Sequence, residues 1–287
     1  MRPELFIYSL IVALVFLPLL AWKWRIKIRL AVAGGIIIGG LTGLIINGID
    51  SAWDGANTVV LVIIALCVII AITFMIFGLR FYRDPERSPR EVENVILSPA
   101  DGTVVYTNEV EESSSLVSTK GTNKYRLDEI TSTDLVNNAT YLVGIDMNIL
   151  NVHVNRSPIE GKIILCKRTK GKFISLRRQE SDVLNERVTT VIDNGKFLVG
   201  VVQIASRLVR RINTYIKEGD SLAIGQRIGA IVFGSQVDVV IPELDNLRIK
   251  VKPGDEVKAS ITIIATYGKG KNSAEILPKE GKNGRTA

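Results

Sequence analysis

The chain has 287 residues, 36 Lys+Arg against 29 Asp+Glu for a formal charge of +7, and 47% hydrophobic residues with a mean hydropathy of +0.25. That is too apolar for a disordered chain, and two cysteines cannot staple one this long. With one histidine and two cysteines, a histidine-rich or four-cysteine zinc site is excluded, and any mechanism that needs an imidazole must use His153.

The apolar excess lies at one end. Leu5 to Trp22, Leu30 to Ile46 and Thr58 to Leu79 are each close to the ~20 residues that a helix needs to cross ~30 Å of hydrocarbon. They predict an anchor over residues 1–80 with three transmembrane helices, at about 5–22, 30–46 and 58–79. A cleavable signal is not expected, because the basic cluster follows the first stretch. Lys23, Arg25, Lys27 and Arg29, and then Arg80, Arg83, Arg87 and Arg90, assign both basic connections to the cytoplasm. Asp50 and Asp54 suit the outer loop, and everything after residue 80 is expected on the cytoplasmic face of the cell membrane. Gly35, Gly39 and Gly43 share one face of the second helix, a pattern for close packing within the anchor in preference to dimerisation. Cys67 in the third stretch and Cys166 in the soluble part are not expected to pair, which fits a reducing compartment.

From about Glu91 short Val- and Ile-rich runs such as Gly102 to Tyr106 and Phe197 to Val202 alternate with Gly, Asp, Asn and Pro turns. This predicts a mainly β soluble domain, sandwich- or barrel-like, over 81–268. The one helix suggested there spans Ser206 to Ile216, where Leu208, Val209, Ile212 and Ile216 recur at three- and four-residue steps. Lys217-Glu218-Gly219-Asp220 recurs as Lys252-Pro253-Gly254-Asp255 at an offset of 35 residues, a hammerhead-type repeat of two quasi-equivalent hairpins. A biotinyl or lipoyl carrier would need a lysine at the hairpin tip, where this chain has Phe233 to Asp238. Residues 269–287 read as a flexible basic tail. The cations Lys167, Arg168, Lys170, Lys172, Arg177 and Arg178 fit a solvated loop or attraction to anionic lipid equally well. Without interleaved aromatics they do not point to nucleic acid.

Three local patterns could carry chemistry: Ser98-Pro99-Ala100-Asp101-Gly102, Asn151 to Pro158 around His153, and Gly234-Ser235. Singly, each is ordinary turn or strand sequence. In order, Phe81-Tyr82-Arg83-Asp84-Pro85, the Asp101 segment, the His153 segment, Asn185-Glu186-Arg187, Gln203-Ile204-Ala205 and Phe233-Gly234-Ser235 resemble phosphatidylserine decarboxylases, closest to the short form and to archaetidylserine decarboxylases, over roughly residues 80–268.

The resemblance implies a self-processing decarboxylase of a membrane lipid's phosphoserine headgroup. Cleavage between Gly234 and Ser235 would give chains 1–234 and 235–287, held as a heterodimer, with Ser235 converted to a pyruvoyl group that forms a Schiff base with the substrate amine. No metal and no pyridoxal phosphate are implied, and a homo-oligomer is left open. A serine hydroxyl needs a base and an imidazole needs an orienting acceptor, roles the resemblance gives to His153 and Asp101. Many family members carry two histidines three residues apart, and here the second position is Arg156. Either His153 serves both self-cleavage and decarboxylation, or another group or water serves one. Arg156 and Arg207 are candidates for substrate binding, against ordinary salt-bridge or solvated roles. The lipid tails, diacyl or archaeal ether, are not read by any of these residues. The rival reading is a non-enzymatic, membrane-anchored adaptor of a transport assembly.

Overall fold

The computed structural model describes residues 2–24, 26–53, 55–89, 93–110, 116–119, 124–135, 139–172, 175, 178, 180–205, 211–232 and 235–268. Three apolar runs form helices α1 (Pro3–Trp24), α2 (Ile28–Ala52) and α3 (Thr58–Phe81), each long and apolar enough to cross a membrane. Asn57 caps α3, its side-chain oxygen accepting from the Val59 amide at 2.8 Å. Small residues decide the packing. α1 buries Leu5, Ser9, Ala13, Leu17 and Ala21 at four-residue steps, against Gly35, Gly39 and Gly43 of α2. A Cβ at Gly39 would lie 2.9 Å from Leu10 Cα, so only glycine permits this backbone approach. The outward faces, including Ile11, Val15, Leu19, Ile37 and Ile63, remain apolar and exposed, as lipid contact requires.

The two ends of the bundle differ. At one, the Arg2 guanidinium pairs with Asp50 and donates to Thr58 and the Ala56 carbonyl, tying α1 to the α2–α3 connection. At the other, Trp24 packs edge-on against Phe74 and Phe77, and Lys27 pairs with Glu256 of the β domain at 2.7 Å. The α1–α2 connection and the end of α3 therefore lie on the same side of the bundle as the β domain.

In chain order the rest comprises β1 (Val95–Leu97), β2 (Gly102–Glu109), β3 (Leu116–Ser118), β4 (Lys124–Arg126), α4 (Leu127–Thr131), β5 (Ala139–Met147), β6 (Val154–Arg156), β7 (Gly161–Thr169), α5 (Ser181–Leu184), β8 (Arg187–Asp193), β9 (Leu198–Ala205), β10 (Arg211–Thr214), β11 (Ser221–Leu222), β12 (Arg227–Val232), β13 (Ser235–Pro242), β14 (Arg248–Ile249), β15 (Glu256–Val257) and β16 (Ile263–Thr266). An eight-stranded antiparallel sheet runs β11-β7-β8-β9-β13-β5-β2-β15, with three-stranded sheets β1-β16-β14 and β10-β12-β6 and a β3–β4 hairpin. Alternation sends Val201, Val237 and Val239 into one core with Ile212, Ile231 and Ile264. Val202 and Val240 face a second core with Leu127 and Ile130 of α4. β13 is central and buried on both faces. This is the mainly β domain after a helical anchor that the sequence predicts.

The repeat is a structural one. In both copies the turn aspartate caps its own lysine amide, Asp220 to Lys217 and Asp255 to Lys252, each at 2.9 Å. In both, the glycine adopts positive φ (Gly219 +90°, Gly254 +97°) and donates to the neighbouring strand, to Ile163 and Val104. The symmetry extends further than the sequence reading took it: Ser98-Pro99-Ala100-Asp101-Gly102 is matched by Ser157-Pro158-Ile159-Glu160-Gly161. Ser98 and Ser157 each bond the carbonyl two residues on, and the copies clasp reciprocally through Leu97 N to Pro158 O and Arg156 N to Pro99 O.

The helix predicted over 206–216 is corrected in part. Residues 206–210 lie outside those described, and Arg211–Thr214 is strand β10, paired from Arg211↔Val232 to Thr214↔Gly229. Pairing with β12 satisfies its backbone and buries Ile212, which outweighs so short a helical periodicity. Gly234, Arg207, Arg177 and the 269–287 tail also lie outside the described residues.

Gly39→Val should destabilise the helical bundle by about 1–3 kcal/mol through overpacking, read as earlier thermal unfolding in detergent. Gly40→Val, whose Cβ would meet only the Phe6 ring edge at 3.9 Å, should change it little.

Candidate active site

Ser235 is the first residue of β13, paired with Met147 of β5 on one side and Ala205 of β9 on the other. It is fully buried, and its Oγ points at Met147 Sδ at 3.3 Å. Asn155 Nδ2 reaches the same sulfur at 3.7 Å, while Gln203 Nε2 donates to Asn155 Oδ1 at 2.7 Å and fixes which way that amide faces. A thioether is a weak acceptor, so the Asn155 N–H stands beside Ser235 with most of its hydrogen-bonding capacity unspent.

His153 sits between the end of β5 and β6. Its backbone carbonyl accepts from Ile231 of β12, the strand that leads toward Ser235. The turn before it is locked by Asn148 and Asn151, whose side-chain oxygens accept from Leu150 and Asn148 amides. His153 Nδ1 contacts the Asn151 carbonyl at 2.9 Å. A carbonyl only accepts, so Nδ1 carries the proton and Nε2 the free lone pair. Nε2 is buried and has no partner among the described residues. The ring packs on Phe81, the last residue of α3, at a centroid distance of 4.3 Å. Burial pushes the imidazole pKa down to about 4, against the opposing pulls of the Asn151 carbonyl and the Asp101 charge. The ring is therefore a neutral base at pH 7.

Asp101 does not hold His153 by a hydrogen bond. Its carboxylate takes two bonds from Arg87 (2.5 and 2.8 Å) and one from the Ala259 amide (2.9 Å), and it acts on the ring only through its charge. The Asn151 carbonyl has the orienting place. Arg156 is buried and bonds Asp84 and the carbonyls of Pro85 and Gly225. Asp84 also pairs with Arg227. The segment after α3 is thus stitched to the β domain at Asp84, Pro85 and Arg87. Of the other motif residues, Asn185 donates to the Ala205 carbonyl beside Ser235, and Arg187 bonds the Glu129 carbonyl and Ser132 under α4. These two support the strands.

Sequence reasoning missed Phe81 as a contact of the imidazole, Met147 beside the serine, and Arg87 as the partner of Asp101. None has a local signal. Each is brought in by a chain crossing remote in sequence.

A buried serine thus heads a central strand of the β domain, and a neutral histidine packs on the end of an apolar helix long enough to cross a membrane. The family model for phosphatidylserine decarboxylase matches residues 74–265. Two archaeal relatives are each named "Putative archaetidylserine decarboxylase proenzyme": that of Methanocaldococcus jannaschii is 43% identical over 202 residues, 70% of this chain and 93% of its own, and that of Methanothermobacter thermautotrophicus 34% over 208, 72% and 88%. The phosphatidylserine decarboxylase proenzyme of Chlorobium chlorochromatii is 37% identical over 197 residues, 69% and 82%. The chain belongs to the phosphatidylserine decarboxylase family. That membership decides against the carrier and adaptor readings of the repeat.

The unfolded histidine protonates near pH 6.5 and the folded one only near 4, so its contribution to stability is complete above about pH 6.5 and is lost as pH falls toward 4, about 3 kcal/mol in all. In a Ser235→Ala background, urea unfolding should show about 1–2 kcal/mol lost between pH 6.5 and 5 from this group. Adding His153→Asn should remove that part of the slope.

Proposed function

We propose that this protein is a self-processing enzyme that removes carbon dioxide from the phosphoserine headgroup of a membrane lipid, using a pyruvoyl group made from Ser235. The observation that carries this reading is Ser235 itself, a buried hydroxyl heading the central strand just after Gly234, in a chain of this family.

In maturation, His153 Nε2 takes the Ser235 hydroxyl proton and Oγ adds to the Gly234 carbonyl carbon, exchanging the amide for an ester. Loss of the Ser235 α-proton expels the Gly234 carboxylate and leaves dehydroalanine. Its hydrolysis releases ammonia and leaves the pyruvoyl group. Chains 1–234 and 235–287 then stay together as a heterodimer for a stated reason: β12 is held by β10 and β6, whereas β13 is held by β9 and β5. A break between them costs neither strand a pairing.

The surroundings fit the group. Asn155 offers a donor now resting on a weak acceptor, available to a carbonyl oxygen formed at residue 235. When present, the pyruvoyl group supplies an electrophilic carbonyl for the substrate amine and an electron sink for the charge left as carbon dioxide departs. The apolar walls given by Met147, Ala205 and Phe81 keep water out, which favours loss of a carboxylate's charge. Because Arg156 is committed to Asp84, His153 is the imidazole for both steps, holding a proton at Nε2 and readily returning it because burial favours the neutral ring. The substrate class is the phosphoserine head that diacyl and archaeal ether lipids share. The β domain faces the cytoplasm, on the charge of Lys23 to Arg29 and of Arg80 to Arg90. Lys27 against Glu256 supports that shared side.

Intact mass should show two polypeptides, the smaller with a blocked N-terminus that gains mass with an amine and cyanoborohydride. Ser235→Ala should remain one chain. His153→Ala should slow maturation by about 10²–10⁴-fold. A wild type that stays uncut and inert to the trapping reagents would overturn the reading.

A further inference from the structure

Among the described residues, two buried nitrogens at the junction of α3 and the β domain lack hydrogen-bond partners. One is His153 Nε2, an acceptor, and the other is Arg83 Nε, a donor. They are physically linked: Arg83 Nη2 donates to the Leu150 carbonyl in the turn that carries His153, and Phe81, two residues before Arg83, packs on the imidazole. Three of the arginines at this junction have carboxylate partners. Arg87 has Asp101, Arg156 has Asp84, and Arg227 has Asp84 and Glu86. Arg83 has a single bond to a neutral carbonyl, and among the described residues no carboxylate lies in salt-bridge contact with it. Burial and the nearby Arg80 and Arg87 both lower its pKa, with Asp101 opposing them only at a distance. A half-buried guanidinium with a free N–H and no counter-ion is costly unless an anion completes it.

We propose that Arg83 binds the phosphodiester of the substrate headgroup. This rests on the decarboxylase reading above and adds the residue that holds the head. The position is apt, because Arg83 follows directly on an apolar helix that is long enough to span a bilayer, where lipid phosphates lie. The planar guanidinium suits two phosphate oxygens, and its Nε has no competing partner among the described residues. In phosphoserine the amine is four bonds from phosphorus, so a phosphate on Arg83 leaves the serine portion free to reach toward His153 and residue 235. The substrate carboxylate is the wrong anion for this site. Its charge disperses as carbon dioxide leaves, so a cation gripping it would stabilise the ground state over the transition state.

The test uses the full-length matured enzyme with short-chain phosphatidylserine in neutral detergent micelles, which hold no other anionic lipid. Arg83→Gln should still yield two chains by intact mass but raise KM about 10- to 100-fold, the scale of a lost charge-assisted hydrogen bond, with kcat changed much less. Arg83→Lys should recover part of the loss. The phosphate methyl ester of the same lipid, which carries no phosphate charge, should be handled alike by wild type and Arg83→Gln. An unchanged KM, an equal defect on the neutral ester, or a defect seen only on anionic vesicles would overturn the assignment. If neither variant matures while wild type does, Arg83 is a folding residue and the assignment fails. An uncut wild type would instead strike the pyruvoyl reading.

Discussion

The site depends on how the segment after α3 is fastened to the β domain. Asp84 bridges Arg156 and Arg227, and Arg87 grips Asp101 with two bonds while also donating to the Ala259 carbonyl. Arg156, Arg87 and Asp101 are largely withdrawn from water. Such pairs add little net stability over apolar packing, because desolvation offsets most of the attraction. Losing one partner is nevertheless expensive, since a charge is left buried alone. Their effect is therefore on placement. They hold the end of an apolar helix in one pose, with Phe81 against the imidazole and Arg83 against its turn.

That pose accounts for the electrostatics of the histidine. Asp101 is near enough to favour a charged ring, yet desolvation wins and the ring stays neutral. The contest goes that way because Arg87 and the Ala259 amide already occupy the Asp101 oxygens, and because Phe81 covers the imidazole face. The same covering that removes water leaves the Nε2 lone pair unprotonated at neutral pH. The last residue of an apolar helix thus sets the environment of the imidazole.

The quasi-twofold arrangement changes how the Ser98 to Gly102 motif is understood. Ser98 and Pro99 have counterparts in Ser157 and Pro158 that make the same turn and the reciprocal bonds, so these residues clasp the two halves of the domain. Asp101 departs from its counterpart Glu160 in being buried against Arg87. A repeat built for folding has one copy modified by a charge pair that faces the site. Both copies were readable as S-P-x-x-G in the chain, at an offset that differs from that of the Gly-Asp turns.

Much was legible without coordinates because it depends on local chemistry. Long apolar runs become helices wherever they fold, glycines every fourth residue admit a close neighbour, Gly-Asp turns set their own φ, and short Val-rich runs such as that near Val199 form strands. The ordered motifs sufficed for the family. Residues 211–214 were misread because a few apolar positions fit a helix and a strand equally, and only β12 alongside settles the matter. Likewise His153, Asp101 and Arg156 could be picked out as reactive types, but not their partners. Hydrogen bonds and ion pairs reach only a few ångströms. Whether Asp101 faces His153 or Arg87, and whether Arg156 is free or bound to Asp84, depends on which distant segments the closed sheets bring within that reach, and only the tertiary structure decides it.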